Sequence, residues 1–213
     1  MRMKCSALFY CLFFVFTYAN GQSLAVKWQK CIGGSKSDSP SKIRKTLDGG
    51  YVIFGATESN DGDVNYNHGK FDVLVVKLDS NLNIQWSKTF GGSENDIANW
   101  GEHTKDSGYI FCGYTSSTDG DLTAITTFGK NDSWIVKLDK QGSIVWQKVN
   151  GGVSDDQYTS VIENFDGNYV ALGTSSTYLQ FAIEYSSSTG AELKYKYFYA
   201  QEGGTPQKQL PEF

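Results

Sequence analysis

A segment that returns at a fixed interval restricts this chain to architectures built by repetition. Lys137 to Gly152 reads Lys-Leu-Asp-Lys-Gln-Gly-Ser-Ile-Val-Trp-Gln-Lys-Val-Asn-Gly-Gly. Lys77 to Gly92 reads Lys-Leu-Asp-Ser-Asn-Leu-Asn-Ile-Gln-Trp-Ser-Lys-Thr-Phe-Gly-Gly, and Trp28 to Gly34 is a third, partial copy. Trp28, Trp86 and Trp146 are spaced by 58 and 60 residues, and the same two intervals separate Gly33-Gly34, Gly91-Gly92 and Gly151-Gly152. Asp38, Asp96 and Asp156 keep step with them, as do Tyr51, Tyr109 and Tyr169. The extra length of the second interval falls between Gly120 and Asp132, in a loop where insertion costs little.

Within each repeat the local signals are those of short strands. Tyr51 to Thr57 and Tyr109 to Thr115 are aromatic and β-branched runs, each introduced by a Gly-containing turn. Val73 to Leu78 and Trp134 to Leu138 are fuller apolar runs, as expected of strands covered on both faces. Ile84 to Phe90 and Ile144 to Val149 alternate around a tryptophan, and Ser41 to Thr46, Asn99 to Thr104 and Thr159 to Asn164 supply the remaining strand. Four short strands per repeat without helical periodicity predict an all-β, propeller-like fold of about three four-stranded antiparallel blades. The blades are expected at about 33–90, 91–149 and 151–199, with a leading outer strand over 26–32 and a polar tail over 201–213. Propellers close with about four to eight blades. An open or partial propeller is therefore expected, with self-association as one route to completing it.

The first 21 residues read as a signal peptide: Arg2 and Lys4 precede the apolar run Leu8 to Tyr18, and Ala19-Asn20-Gly21 supplies small residues for cleavage before Gln22. That run is too short to span a bilayer comfortably, and no second apolar run follows. Loss of Arg2 and Lys4 takes the net charge from -4 to about -6. A mildly acidic chain without a Lys/Arg block argues against nucleic acid or an anionic membrane as partner. Cys31 and Cys112 remain after cleavage, in non-equivalent places, and are expected to be buried free thiols.

Strand order places the repeated loops on two faces. In a meander the connections between repeats and between second and third strands share one face, while the tight turns share the other. The first face then carries Gly33 to Asp38 with Asn60 to Phe71, Gly91 to Asp96 with Asp119 to Asn131, and Gly151 to Asp156. Long loops on a rigid scaffold are where binding is expected.

Trp-x-Lys, Gly-Gly-Ser-x-x-Asp, Asp-Gly-Gly-Tyr, Ser-Asn-Asp-Gly-Asp, Asn-His-Gly and Asp-x-x-Val-Val-Lys-Leu-Asp together resemble the repeats of secreted bacterial β-propeller proteins. The approach Asp139, Gly142, Trp146 is similar to the tryptophan-docking motif of quinoprotein-type propellers. The first copy carries nearly the whole pattern, including Asn67-His68-Gly69. The second replaces that tripeptide with Thr127-Phe128-Gly129, and the third lacks the Asp-Gly-Asp loop between Thr174 and Ala182. The resemblance implies an extracellular scaffold or binding module. The expected function is thus a secreted, non-enzymatic repeat module, extracellular or at the cell surface, binding a protein or glycan partner through the long-loop face.

Candidate chemistry is sparse. Asp38, Asp61 and Asp63, and Asp96, Asp119 and Asp121, are expected on one face, where clustered carboxylates with loop carbonyls suit calcium. The alternative is that aspartate beside glycine makes the turn by capping its own backbone. His68 and His103 are not equivalent and do not suggest a histidine metal site. Lys42, Arg44, Lys45, Glu102, His103 and Glu163 fall on inner strands and would line a charged bore. No Gly-x-Ser-x-Gly and no fixed Cys–His pair is present, so no catalytic residue and no organic cofactor is expected. The competing reading is a glycan-active or quinoprotein-type enzyme fragment on the same scaffold, since paired face carboxylates could serve glycoside hydrolysis.

Overall fold

The computed structural model describes residues 29–176 and 179–199. The signal peptide expected at 1–21, Trp28 and the expected tail at 201–213 lie outside the described residues. Of the expected leading strand, residues 29–32 are described and form no strand. Every strand belongs to the unit that begins at Cys31.

Twelve strands form three four-stranded antiparallel sheets. The first blade holds β1 (Asp38–Lys45), β2 (Tyr51–Thr57), β3 (Asp72–Leu78) and β4 (Ile84–Phe90) in that order. The second holds β5 (Asp96–His103), β6 (Tyr109–Thr115), β7 (Asp132–Leu138) and β8 (Ile144–Asn150). The third holds β9 (Asp156–Glu163), β10 (Tyr169–Ser175), β11 (Leu179–Tyr185) and β12 (Glu192–Tyr199). The fold is an open, propeller-like arc. Its innermost strands are neighbours, β1 against β5 and β5 against β9.

Period-2 alternation decides which blade each side chain meets. Val52, Phe54, Val73 and Val75 of the first blade pack against Tyr109, Phe111, Trp134, Val136 and Leu138 of the second. The opposite face of the second blade, Ile110, Cys112, Ile135 and Trp146, packs against Tyr158, Tyr169, Phe181, Ile183 and Tyr185 of the third. Strands buried on both faces read as near-continuous apolar runs, and β3 and β7 do so after an opening aspartate (followed in β7 by Ser133), with Lys77 and Lys137 buried near their ends. The insertion after Gly120 is more than a loop: a 3-10 turn over Gly120–Leu122 drops Leu122, fully buried, into the first junction.

Trp86 and Trp146 stand between blades. Each lies against a glycine in the turn between the third and fourth strands of the next blade, so close that a Cβ on Gly142 would sit 2.9 Å from Trp86 and one on Gly190 2.6 Å from Trp146. Both glycines also have positive φ, +73° and +66°. The equivalent turn of the first blade has Leu82 there, at φ +67°, a conformation that strains a branched side chain. At the other end, register sets which residue of the third blade stands in the place of the two tryptophans. Trp86 pairs with Lys77 and Trp146 with Lys137, whereas their counterpart Glu184 pairs with Lys194. All three blades carry the same bulge at this point, and the position moves by one residue because the turn 186–191 is one residue longer than 79–83 and 139–143.

Candidate functional site: the long-loop face

The inner strands begin at Asp38, Asp96 and Asp156, three residues before the sequence expectation. The reason is what those carboxylates hold. Asp38 Oδ2 accepts from the Gly34 N–H at 2.8 Å and the Ser59 hydroxyl at 3.1 Å, and its Oδ1 accepts from Thr57. Asp96 does the same with Gly92 at 2.8 Å, Ser117 at 2.7 Å and Thr115. Each aspartate thereby ties the Gly-Gly loop to the start of the loop between second and third strands.

The Asp-Gly-Asp segments complete the tie from the other side. Ser35 N–H donates to Asp61 Oδ1 at 2.7 Å, Gly33 N–H to Asp63 Oδ2 at 3.3 Å and Lys36 N–H to Ser59 Oγ at 3.0 Å. One repeat later Ser93 donates to Asp119 at 2.7 Å, Gly91 to Asp121 at 3.1 Å and Glu94 to Ser117 Oγ at 3.0 Å. The donated hydrogen bonds from Ser35 and Ser93 lower the pKa of Asp61 and of Asp119 below the ordinary carboxylate value. The six expected calcium-site aspartates therefore accept N–H and O–H bonds. Among the described residues no group of three or more His, Cys, Asp or Glu side chains is arranged to hold a metal ion.

A second, buried set of carboxylates escaped the sequence reading. Asp72 and Asp132 open β3 and β7, and both are buried. Asp72 Oδ2 accepts from the His68 N–H at 2.6 Å and meets His68 Nδ1 at 2.7 Å. Asp132 Oδ2 accepts from the Phe128 and Gly129 N–H groups at 2.7 and 3.2 Å. The remaining oxygen of each has no hydrogen-bond partner, and it points at the side-chain-free flank of Gly91 or Gly151. Burial pushes Asp72 and Asp96 above the ordinary carboxylate value. The signal was the Asp that opens Asp-x-x-Val-Val-Lys-Leu-Asp at Asp72 and its Asp-x-x-Ile-Val-Lys-Leu-Asp counterpart at Asp132, taken above only as part of the repeat pattern.

The tight-turn face is held by a different device. Lys77 Nζ donates to Asp48 Oδ2 at 2.8 Å and to the Leu78 carbonyl at 2.8 Å, and Lys137 repeats this with Asp106 and Leu138. Lys77 holds the Asp48 carboxyl well below the ordinary carboxylate range. Between the first two blades a cavity of about 280 Å³ opens on this face, beside His103, Tyr109 and Lys140. Burial lowers the His103 pKa and lifts the Tyr109 hydroxyl to about 12. Of the inner-strand charges, Arg44 grips Glu102 through two bonds of 2.6 and 2.5 Å, and Lys42 lies 3.2 Å above the Trp100 ring. Glu163 accepts from the Lys105 N–H at 2.9 Å. These expected bore-lining groups are thus inter-blade ties.

The two thiols are free, as expected, but only Cys112 is buried; Cys31 is exposed. Burial raises the Cys112 pKa, which leaves it a packing residue. Among the described residues no helix is long and apolar enough to cross a membrane.

Fold and face together define the class: an open array of three propeller-like blades whose long loops are stapled by aspartates along one face. No protein-family model matches the chain, and no curated protein matches it.

Proposed function

We propose that the chain is an exported binding or scaffolding module of the secreted bacterial propeller-repeat type, acting outside the cell or at its surface. Its partner is a protein or a glycan, engaged through the long-loop face. The observation that carries this reading is a pair of exposed aromatics, Tyr66 at 58% and Phe128 at 52% exposure, on loops whose backbones are fixed. The Tyr66 carbonyl accepts from the Thr89 hydroxyl at 2.7 Å, and the Phe128 N–H is tied to Asp132. Exposed rings on rigid backbone lose little entropy on contact with a partner.

Glycan and protein arrays probed with the purified chain test this. Binding should fall at least about tenfold in Tyr66→Ala or Phe128→Ala, with the unfolding midpoint unchanged. Array binding indifferent to both changes would remove the reading. Turnover of chromogenic glycosides that disappears in Asp61→Ala or Asp119→Ala would replace it with the enzymatic alternative.

A further inference from the structure

On the tight-turn face the two junctions between blades are closed differently. At the second, Glu163 accepts from the Lys105 N–H at 2.9 Å, and Lys105 Nζ donates to the Asn164 carbonyl at 3.1 Å. At the first, repeat register puts His103 in the place of Glu163 and Leu47 in the place of Lys105. An imidazole and an isobutyl group cannot make that tie, and Leu47 is left 73% exposed. The cavity of about 280 Å³ lies where the tie is missing, with Leu47 and His103 in its wall.

Three polar side chains in that wall have nothing to bond. Tyr109 is only 3% exposed, yet its hydroxyl has no hydrogen-bond partner among the described residues. The same holds for both ring nitrogens of His103 and for Lys140 Nζ. Unlike the orphaned oxygens of Asp72 and Asp132, the Tyr109 hydroxyl is not sealed from solvent, so it opens on the cavity. The His103 and Tyr109 rings stand 5.7 Å apart at 68°. Burial keeps the phenol protonated and the imidazole uncharged at neutral pH, so Tyr109 donates while His103 offers one donor and one acceptor.

The walls are fixed in advance. In the turn that carries Lys140 and Gln141, Asp139 Oδ1 accepts from the Gln141 and Ser143 N–H groups at 2.9 and 2.8 Å. Lys88 Nζ donates to the Gly142 carbonyl of that turn at 3.0 Å, and the Trp86 ring lies against Gly142. The facing turn is held by the pair of Lys77 and Asp48. A ligand entering here orders little besides itself. Lys77 cancels Asp48, so Lys140 leaves one net positive charge in the wall, and the Asp48 carboxylate repels a second negative charge on a ligand. The side-chain amides of Gln85 and Gln141 and the Ser107 hydroxyl complete the polar lining, groups that pair with sugar hydroxyls, while Leu47 offers apolar contact to ring C–H groups. The volume is at the small end of ligand pockets, matched to one sugar ring.

We infer that this cavity binds a hexuronate, a single sugar ring bearing one carboxylate. The carboxylate pairs with Lys140 and accepts from the Tyr109 hydroxyl, and the ring hydroxyls bond His103 and the two glutamines. The site lies at the other end of the blades from the long-loop face and does not depend on the reading given for that face.

The probes are the methyl glycosides of glucuronate and galacturonate, titrated into ¹⁵N-labelled protein. Shifts are expected at the Ser107 and Gln141 amides and at the His103 ring, with the neutral methyl glucoside and galactoside binding at least about tenfold more weakly. Tyr109→Phe keeps the packed ring and removes only the unpartnered hydroxyl. It should weaken uronate binding about fivefold with the unfolding midpoint unchanged. Lys140→Gln, in an exposed turn, should abolish the preference for the acid over the neutral sugar, and it carries the test if the first variant does not fold. Equal affinity for charged and neutral glycosides, inorganic phosphate binding as well as the uronates, or no shift at these positions at tens of millimolar ligand overturns the inference. Shifts confined to Tyr66 and Phe128 overturn it too, while leaving the long-loop reading in place.

Discussion

The indole Nε1 of Trp146 donates to the main-chain carbonyl of Ser187 at 2.9 Å, across the junction of the second and third blades. The ring lies 6.0 Å from Tyr169 and 6.1 Å from Tyr185, and Gly190 makes room for it. One side chain thus supplies both apolar contact and a directional bond to the joint. Trp146→Ala should cost about 3–5 kcal/mol in urea unfolding, and Trp146→Phe about half of that. A loss under about 1 kcal/mol for the alanine variant would show that the joint does not depend on the indole.

Asp96 is fully buried and accepts from one N–H and two hydroxyls. Asp96→Ala leaves all three donors without a partner inside the junction, at about 1–3 kcal/mol for each group that water cannot reach. Denaturant titration checks the sum. Addition of calcium or of a chelator should leave the wild-type midpoint where it is, because the carboxylate is already occupied by donors.

The carboxylates divide by sign in their response to acid. Asp72 and Asp96 are raised in the folded chain, so the fold favours their protonated forms. Their effect is loss of stability as pH rises from the ordinary value of 3.8 through the folded pKa. Asp48 is lowered, so its contribution is present above 3.8 and disappears as pH falls. Stability against pH should therefore flatten on the acid side in Asp48→Asn and flatten above it in Asp72→Asn. Opposite slopes in the two variants are the readout; parallel curves would contradict the assignment.

Arg44 and Glu102 are 31% and 22% exposed at the side chain, and the Trp100 Nε1 donates to the same carboxylate at 2.8 Å. A double-mutant cycle with Arg44→Ala and Glu102→Ala should give a coupling of about 1 kcal/mol, reduced by salt. Arg44→Lys should recover less than half, since an ammonium cannot make the two-pronged contact.

How much of this was legible differs by residue. β2, β4 and β6 begin and end where Tyr51, Ile84 and Tyr109 runs placed them, because alternation and turn glycines act within a few residues. The periodic aspartates were legible as positions but not as partners. Asp61 meets Ser35 across 26 residues of chain, and only the folded loop decides whether a carboxylate receives N–H donors or a cation. Lys194 was not legible as the counterpart of Trp86 and Trp146, because the turn 186–191 holds one residue more than 79–83 and 139–143 and no composition signal marks it. The cavity beside His103 arises from what two neighbouring blades do or do not supply, and periodicity within a blade carries no trace of that.

The joint between blades is a knob and a socket: an indole from one side, a glycine turn from the other. Lys194, bound to Glu184 at 3.1 Å, offers no indole knob on the third blade, and the first blade's turn has Leu82 where the other two have the socket glycine. Any surface that packs on the outer strand of the third blade therefore meets an ammonium where the first two blades present an indole, and a contact there has to be built on charge.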